Sequence, residues 1–347
     1  MDTINRRKFI ELTGAGTKAR AAKSLSFAEI AKQGELSSIE ARSGILVIVT
    51  LYGGNDGLST LIPYRNPDYF ALRPTLSFQE DEVLPLDDSL ALNASMVGFK
   101  ALWDDGLLGI VRGVGYPRTE HSHFSSMAIW QSAVLSAVNS GWIGRWLDTK
   151  PRDKYLAINL GSILPPMLAG NQAIGSVLPL TEARAKMKSS RLAEQLKIVA
   201  QLIAAGAPTK VWSVSLGGFD THSDAKVTQS TLLGLVSDAI TAFMAELKLI
   251  GRSKHVTVLV YSEFGRRVRA NETDGTDHGT SSPVFLIGER VKGGFHGEDP
   301  ELDVRSKEDL PVTTDFRDIY AEVLEQILDS ESERVIERSR SVLGLFR

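Results

Sequence analysis

The segment GILVIVTLYGG at 44–54 is apolar at almost every position. A strand with one wet face alternates apolar and polar side chains. A strand without that alternation is buried on both faces and sits inside a sheet covered on both sides. Runs of the same style recur as LLGIVRGVG (107–115), YLAINLG (155–161), KVWSVSLGG (210–218), HVTVLVYSEFG (255–265) and SPVFLIG (282–288). Helical patterns fall between and after them at 96–106, 123–135, 181–206, 227–251 and 314–330. In 227–251, Leu232, Leu233, Val236, Ile240, Phe243, Met244 and Leu247 repeat at helical spacing, so one face is buried. Thr314 or Asp315 is placed to cap the last helix. Strands alternating with helices predict an α/β fold, a three-layer α/β/α sandwich around a mostly parallel central sheet.

Residues 1–40 read as a disordered leader and 41–347 as one domain, with 61–94 and 289–313 as loop excursions. Arg6 and Arg7 followed by Phe9 and Ile10 resemble a twin-arginine export signal, which places the protein in the periplasm or outside the cell; the alternative is cytoplasmic. The uncharged stretch 156–181 is long enough to span a bilayer, but Pro165, Pro166, Asn159, Asn171 and Gln172 make it a strand, a loop and a second extended segment. Net charge is −3 and no basic stripe stands out, which argues against nucleic acid. Without cysteine there is no thiolate ligand or nucleophile, so a metal would rest on Asp, Glu, His or neutral oxygens.

The acids and imidazoles gather where strands begin or end. Asp56 follows the first strand in GGNDG, and Ser122 and His123 follow the second in EHSHF. Asp220 and His222 follow KVWSVSLGG, Glu263 and Arg266 lie in SEFGRR, and Asp277 and His278 precede the strand at 282–288. His255 and His296 lie outside this set. In open α/β sheets ligands bind beyond the carboxyl ends of the strands. Carboxylate and imidazole donors suit a divalent ion (Zn, Mn, Mg or Ca), and two such ions can clamp a phosphoryl or sulfuryl group. The expected metal ligands are therefore Asp56, Asp220, His222, Glu263, Asp277 and His278. Ser122, at a helix start that favours an anion, is the candidate nucleophile. His123 is a candidate catalytic residue, and Arg266 or Arg118 a candidate partner for the substrate's negative charge.

The ordered set LYGGNDGLSTLIPY, NPDYFALRP, EHSHFSSMAIWQS, SLGGFDTHS, YSEFGRRV and GTDHGTSSPVFLIG resembles the bacterial secreted family catalogued as domain of unknown function 1501, over roughly residues 44–330. That family is similar to the alkaline phosphatase and sulfatase superfamily. The resemblance implies a two-metal site at the strand ends. Asp56 matches the first-strand metal Asp, Ser122 the nucleophile position, Asp220 and His222 an Asp/His ligand pair, and His278 the last ligand His. Glu263 stands in for an Asp, but Phe264 occupies the place of a ligand His, and His123 is the residue placed to compensate. Family members often carry a twin-arginine leader.

The expected function is a metal-dependent hydrolase of phosphate or sulfate esters, with a small anionic ester as substrate. The alternative is a non-catalytic, envelope-associated binding protein that keeps the fold and part of the pocket. A serine esterase fits less well, because its nucleophile would follow the first strand, where Ser59 lies too far into the next segment.

Overall fold

The computed structural model describes residues 22–36, 44–136, 138–180, 190–302, 309–336 and 341–347. Its main sheet has ten strands. In chain order these are β1 (Lys23–Ser24), β2 (Ile45–Tyr52), β6 (Leu108–Gly115), β7 (Ala157–Leu160), β8 (Ser176–Leu178), β9 (Val211–Gly217), β10 (Val256–Ser262), β11 (Ser282–Ile287), β12 (Gly294–His296) and β13 (Thr314–Asp315). The strands β3 (Leu61–Ile62), β4 (Val83–Pro85) and β5 (Ala91–Asn93) form a small antiparallel sheet of their own. The order across the main sheet is β1-β8-β7-β9-β2-β10-β11-β6-β12, with β13 paired to β6. Every pairing is parallel except those of β11, which runs against both β10 and β6.

The apolar run at 44–54 explains the layers. Along β2, Ile45, Val47, Val49 and Leu51 enter one core, while Leu46 and Ile48 enter the other. In β10, Val256, Val258 and Val260 join the first core, and Leu259 and Tyr261 the second. The first face is covered by α1 (Phe27–Leu36), α2 (Val97–Asp104), α5 (Arg191–Ala204) and α6 (Ala225–Leu249). The second is covered by α3 (His123–Ser132), α4 (Trp142–Asp148) and α7 (Phe316–Gln326). The three-layer α/β/α sandwich expected from the alternation of runs is the fold observed. Asp315 caps α7 by accepting the Arg317 amide at 3.0 Å.

Three boundaries differ from expectation. Residues 23–36, expected in the leader, belong to the fold: β1 pairs with β8, and Ile30 of α1 is fully buried. A side chain at Gly34 would overlap the Ala205 carbonyl, so glycine there lets α1 approach the end of α5. The excursion 61–94 holds the small sheet, and 289–313 supplies β12, whose His296 Nε2 donates to the Lys292 carbonyl of its own turn at 2.7 Å. The stretch 156–181 contains β7, a 3-10 turn at Pro166–Leu168 and β8, as its prolines require. Among the described residues no helix is long and apolar enough to cross a membrane. The expected helix 181–206 is seen from Arg191; residues 181–189, and the twin arginines Arg6 and Arg7, lie outside the described residues.

Candidate metal centre

The direction of β11 decides where His278 goes. Because β11 runs against its neighbours, its beginning lies at the same edge as the carboxyl ends of β2, β6, β9 and β10. The loop that enters β11 therefore meets the loops that leave the other four. An isolated bridge between Arg266 and His278 continues the β10–β11 ladder beyond the strands. Glycine is needed on both sides of it. A Cβ on Gly265 would overlap the Ser281 carbonyl oxygen, and one on Gly279 the Arg266 backbone.

The Asp220 Oδ1 atom is the meeting point. His222 Nε2 lies 3.0 Å from it, His278 Nε2 3.2 Å, His123 Nε2 3.4 Å and the Arg266 guanidinium 2.7 Å. His222 Nε2 and His278 Nε2 are also 3.0 Å apart. Two of the three imidazoles have the other nitrogen in a hydrogen bond, and the third has a carboxylate near it. His123 Nδ1 donates to Glu263 Oε1 at 2.8 Å, His278 Nδ1 to the His121 carbonyl at 2.7 Å, and His222 Nδ1 faces Asp277 Oδ1 at 3.6 Å. A metal-ligating histidine has this arrangement: an acceptor on one nitrogen fixes the tautomer and presents the other to the ion.

The donor atoms of His123, Asp220 and His278 all lie within 4.8 Å of one another, and His123 Nε2 is buried with no hydrogen-bond partner. Two donors each ~2.1 Å from one tetrahedral ion stand ~3.4 Å apart, the spacing seen around Asp220. The imidazole and carboxylate donors are those of a borderline divalent ion such as zinc. The residues present thus fit a metal ion.

Charge supports the same grouping. Burial works to raise the Asp220 pKa, but hydrogen bonds from Arg266 and His278 and the charges of Arg266 and His123 outweigh it and hold it at about 2. Burial works against the charged form of His123, but the hydrogen bond and charge of Glu263, with Asp220, hold its pKa above the ordinary value. Burial pushes His278 down, helped by the charges of His123 and Arg266.

Several expected roles change. Asp56, expected as a metal ligand, is fully buried in an ion pair with Arg73: Nη1 and Nη2 reach its two oxygens at 2.6 and 3.0 Å. Its oxygens also accept the Ser59 hydroxyl and the Leu58 amide, so they have no room for an ion. Glu263, expected as a ligand, stands behind His123 and also accepts the Gly53 amide at 2.9 Å. Asp277 stands behind His222 and approaches Arg267 at 4.0 Å. Glu263 orients an imidazole through its hydrogen bond, while Asp277 places a carboxylate near one without bonding it. Arg266, expected to meet the substrate, is 1% exposed and donates to the carbonyls of Gly53, Gly54, Phe219 and Thr276 as well as to Asp220. It fastens three loops, and its side chain is buried away from an anion in solution. Ser122 caps α3 at 3.5 Å through the Ser125 amide, and among the described residues no base bonds its hydroxyl. Arg118 is exposed in a left-handed turn with φ 59°.

His123 takes a donor position, and Phe264 packs against both imidazoles, 4.9 Å from the rings of His123 and His278, which are themselves 4.3 Å apart. Three contributors escaped the sequence reading. Arg73 in NPDYFALRP is a charge set between an apolar run and a proline at the end of a short helix, which is its one signal. The His121 carbonyl and Asp309, which meets His121 Nε2 at 3.2 Å, leave no signal because both act through tertiary contact.

Glu263→Gln keeps the acceptor for the Gly53 amide but removes the charge behind His123. It is expected to weaken metal binding about 10-fold, the lower end for a residue that orients a ligand. Chelator competition on the purified variant measures this, and unchanged affinity would deny Glu263 that role.

No curated protein matches the chain significantly. Among solved structures, the chain is similar to the C-terminal periplasmic domain of EcEptC from Escherichia coli in complex with Zn, with 13% identity, 72% of this chain and 75% of that one covered, and a TM-score of 0.42. It is similar to murine ectonucleotide pyrophosphatase/phosphodiesterase 5 with 10% identity, 88% and 100% covered, and a TM-score of 0.47. It is also similar to a protein in the alkaline phosphatase superfamily from Vibrio parahaemolyticus, with 9% identity, 91% and 78% covered, and a TM-score of 0.46. Residues 177–338, which carry Asp220, His222, Glu263 and His278, match the family described as "Protein of unknown function (DUF1501)", the family whose ordered motifs the sequence resembles.

Proposed function

We propose that the protein is a metal-dependent hydrolase of phosphate or sulfate esters. Its single ion is held by His123, Asp220 and His278, with His222 beside them. The observation that carries this reading is the convergence of three imidazole Nε2 atoms on Asp220 Oδ1, with the Nδ1 atoms of His123 and His278 hydrogen-bonded on their far sides. Structural metal sites are closed, whereas catalytic ones keep an open position. Here the Asp220 and His222 side chains are 48% and 47% exposed, which supports the second kind.

When bound, a divalent ion supplies Lewis acidity toward an ester oxygen and makes water a better nucleophile at neutral pH. The chain's own residues do the rest. Arg266 fixes Asp220. Glu263 and the His121 carbonyl hold the His123 and His278 rings in the tautomer that leaves Nε2 free to bind an ion, and Asp277 lies near His222. Water is the attacking group in this reading, because Ser122 has a capping bond and, among the described residues, no base. Assay of aryl phosphates and aryl sulfates, with metal added and then chelated, tests it: product release that requires metal is expected. If metal-loaded protein releases none, the hydrolase reading falls.

A second reading, a non-catalytic binding protein, is favoured by the two ligand positions this chain lacks. Phe264 has no donor atom, and Asp56 is committed to Arg73. Metal-dependent turnover rejects that reading.

Protons and metal compete for the same nitrogens. His123 holds its proton above the ordinary imidazole value, so the ion must displace that proton at and above about pH 6.5. His278, held below the ordinary value, is already neutral there. Metal affinity is therefore expected to fall as pH drops and to go on rising with pH past about 6.5. Chelator competition between about pH 5 and 9 reads the slope, and an affinity that levels off below about 6 contradicts it.

A further inference from the structure

Beside His123 and Glu263 opens a cleft of about 630 Å³. It exists because two neighbouring strands part. β7 and β9 are paired only as far as Asn159 and Ser213. Beyond that point the buried amide of Gln195 bridges them, donating to Leu160 O at 2.8 Å and accepting from Ser215 N at 3.2 Å. Gln195 is 1% exposed, so the opening is built into the fold. Its walls are largely apolar, with Met127, Leu160, Leu164 and Pro165 among them, and Ile163 at 80% exposure is a large hydrophobic side chain that the fold leaves in water. Arg191, the first residue of α5, also lines it and forms no ion pair among the described residues.

We infer that this cleft is the subsite for the organic part of the ester, and that it selects an apolar, aromatic-sized group carrying a second anionic group for Arg191. The inference rests on the hydrolase reading for the position of the ester, but the cleft stands on its own geometry. An apolar wall gains by covering Ile163 and its neighbours. A guanidinium recognises a carboxylate by charge-assisted hydrogen bonds. Together they favour an amphipathic anion over an inorganic one.

Binding of two probes without a scissile ester tests this: 6-carboxy-2-naphthol and 2-naphthol, titrated calorimetrically into the full chain. The carboxylated probe is expected to bind about 10-fold more tightly. Arg191→Ala should abolish that preference, and Ile163→Asp should weaken both probes; both residues are exposed, so the fold tolerates the changes. The inference is overturned if the wild type shows no preference, if the preference survives Arg191→Ala, or if Ile163→Asp binds both probes as the wild type does. His278→Ala protein should retain the preference. Failure of ester hydrolysis with these titrations intact removes the hydrolase and leaves the cleft; the converse removes the cleft alone.

Discussion

His278→Ala is expected to weaken metal binding by on the order of 100-fold or more and to leave the fold intact. Residues that only orient a ligand already cost 10–100-fold when changed, and a lost donor costs more. The His278 Nε2 atom sits 3.2 Å from Asp220 Oδ1 and 3.0 Å from His222 Nε2, so its removal takes one of the central donors. The fold loses little, because the side chain's other bond is a single one to the His121 carbonyl. Asp220→Ala should lose metal as well, but it also strips the carboxylate from Arg266, whose side chain is fully buried. The two variants thus separate coordination from stability. Elemental analysis with unfolding curves for both gives the result; wild-type metal content in His278→Ala protein would dismantle the centre described here.

Arg73→Met is expected to destabilise the protein by about 3–5 kcal/mol, the cost of leaving one member of a buried ion pair without its partner. Both side chains are 0% exposed. The guanidinium also donates to Val268 O at 2.6 Å and Arg267 O at 2.7 Å, tying the loop after β2 to the segment that follows Arg266. Urea unfolding measures the loss, and a change below about 1 kcal/mol would show that the pair is not holding the loops. The companion variant Asp56→Asn settles the other half of the assignment. It should lower stability and leave metal affinity at the wild-type value, since Asp56 spends its oxygens on Arg73, Ser59 and Leu58. Metal loss in that variant would return Asp56 to the ligand set.

The layers of the fold were legible because burial on both faces leaves a mark in every strand. A chain that must place Ile45, Val47 and Val49 in one core and Leu46 and Ile48 in another has no polar position to spare. The positions of chemistry were legible for a related reason: acids and imidazoles are costly inside a sheet and collect at its ends. Asp220, His222, His278 and His123, expected at that edge, come together around one carboxylate oxygen, while Asp56, Glu263, Asp277 and Arg266, expected beside them, stand in other contacts. What separates the two groups is which atom each presents and to whom. Glu263 and Asp277 face the Nδ1 side of a ring, and Asp56 faces a guanidinium from a short helix 17 residues further on. No local pattern encodes such pairings.

The sequence by itself determined the sandwich, the edge of the sheet where the site would form, and the kind of donor atoms available there, since periodicity and residue type are local properties of the chain. Only the tertiary structure decided that β11 runs against its neighbours and so delivers His278 to that edge, that Phe264 packs against two imidazoles, and that Asp56 and Arg266 hold the scaffold together. Those outcomes depend on strand order and on contacts between segments distant in sequence, where one side chain's role is set by what another has already taken.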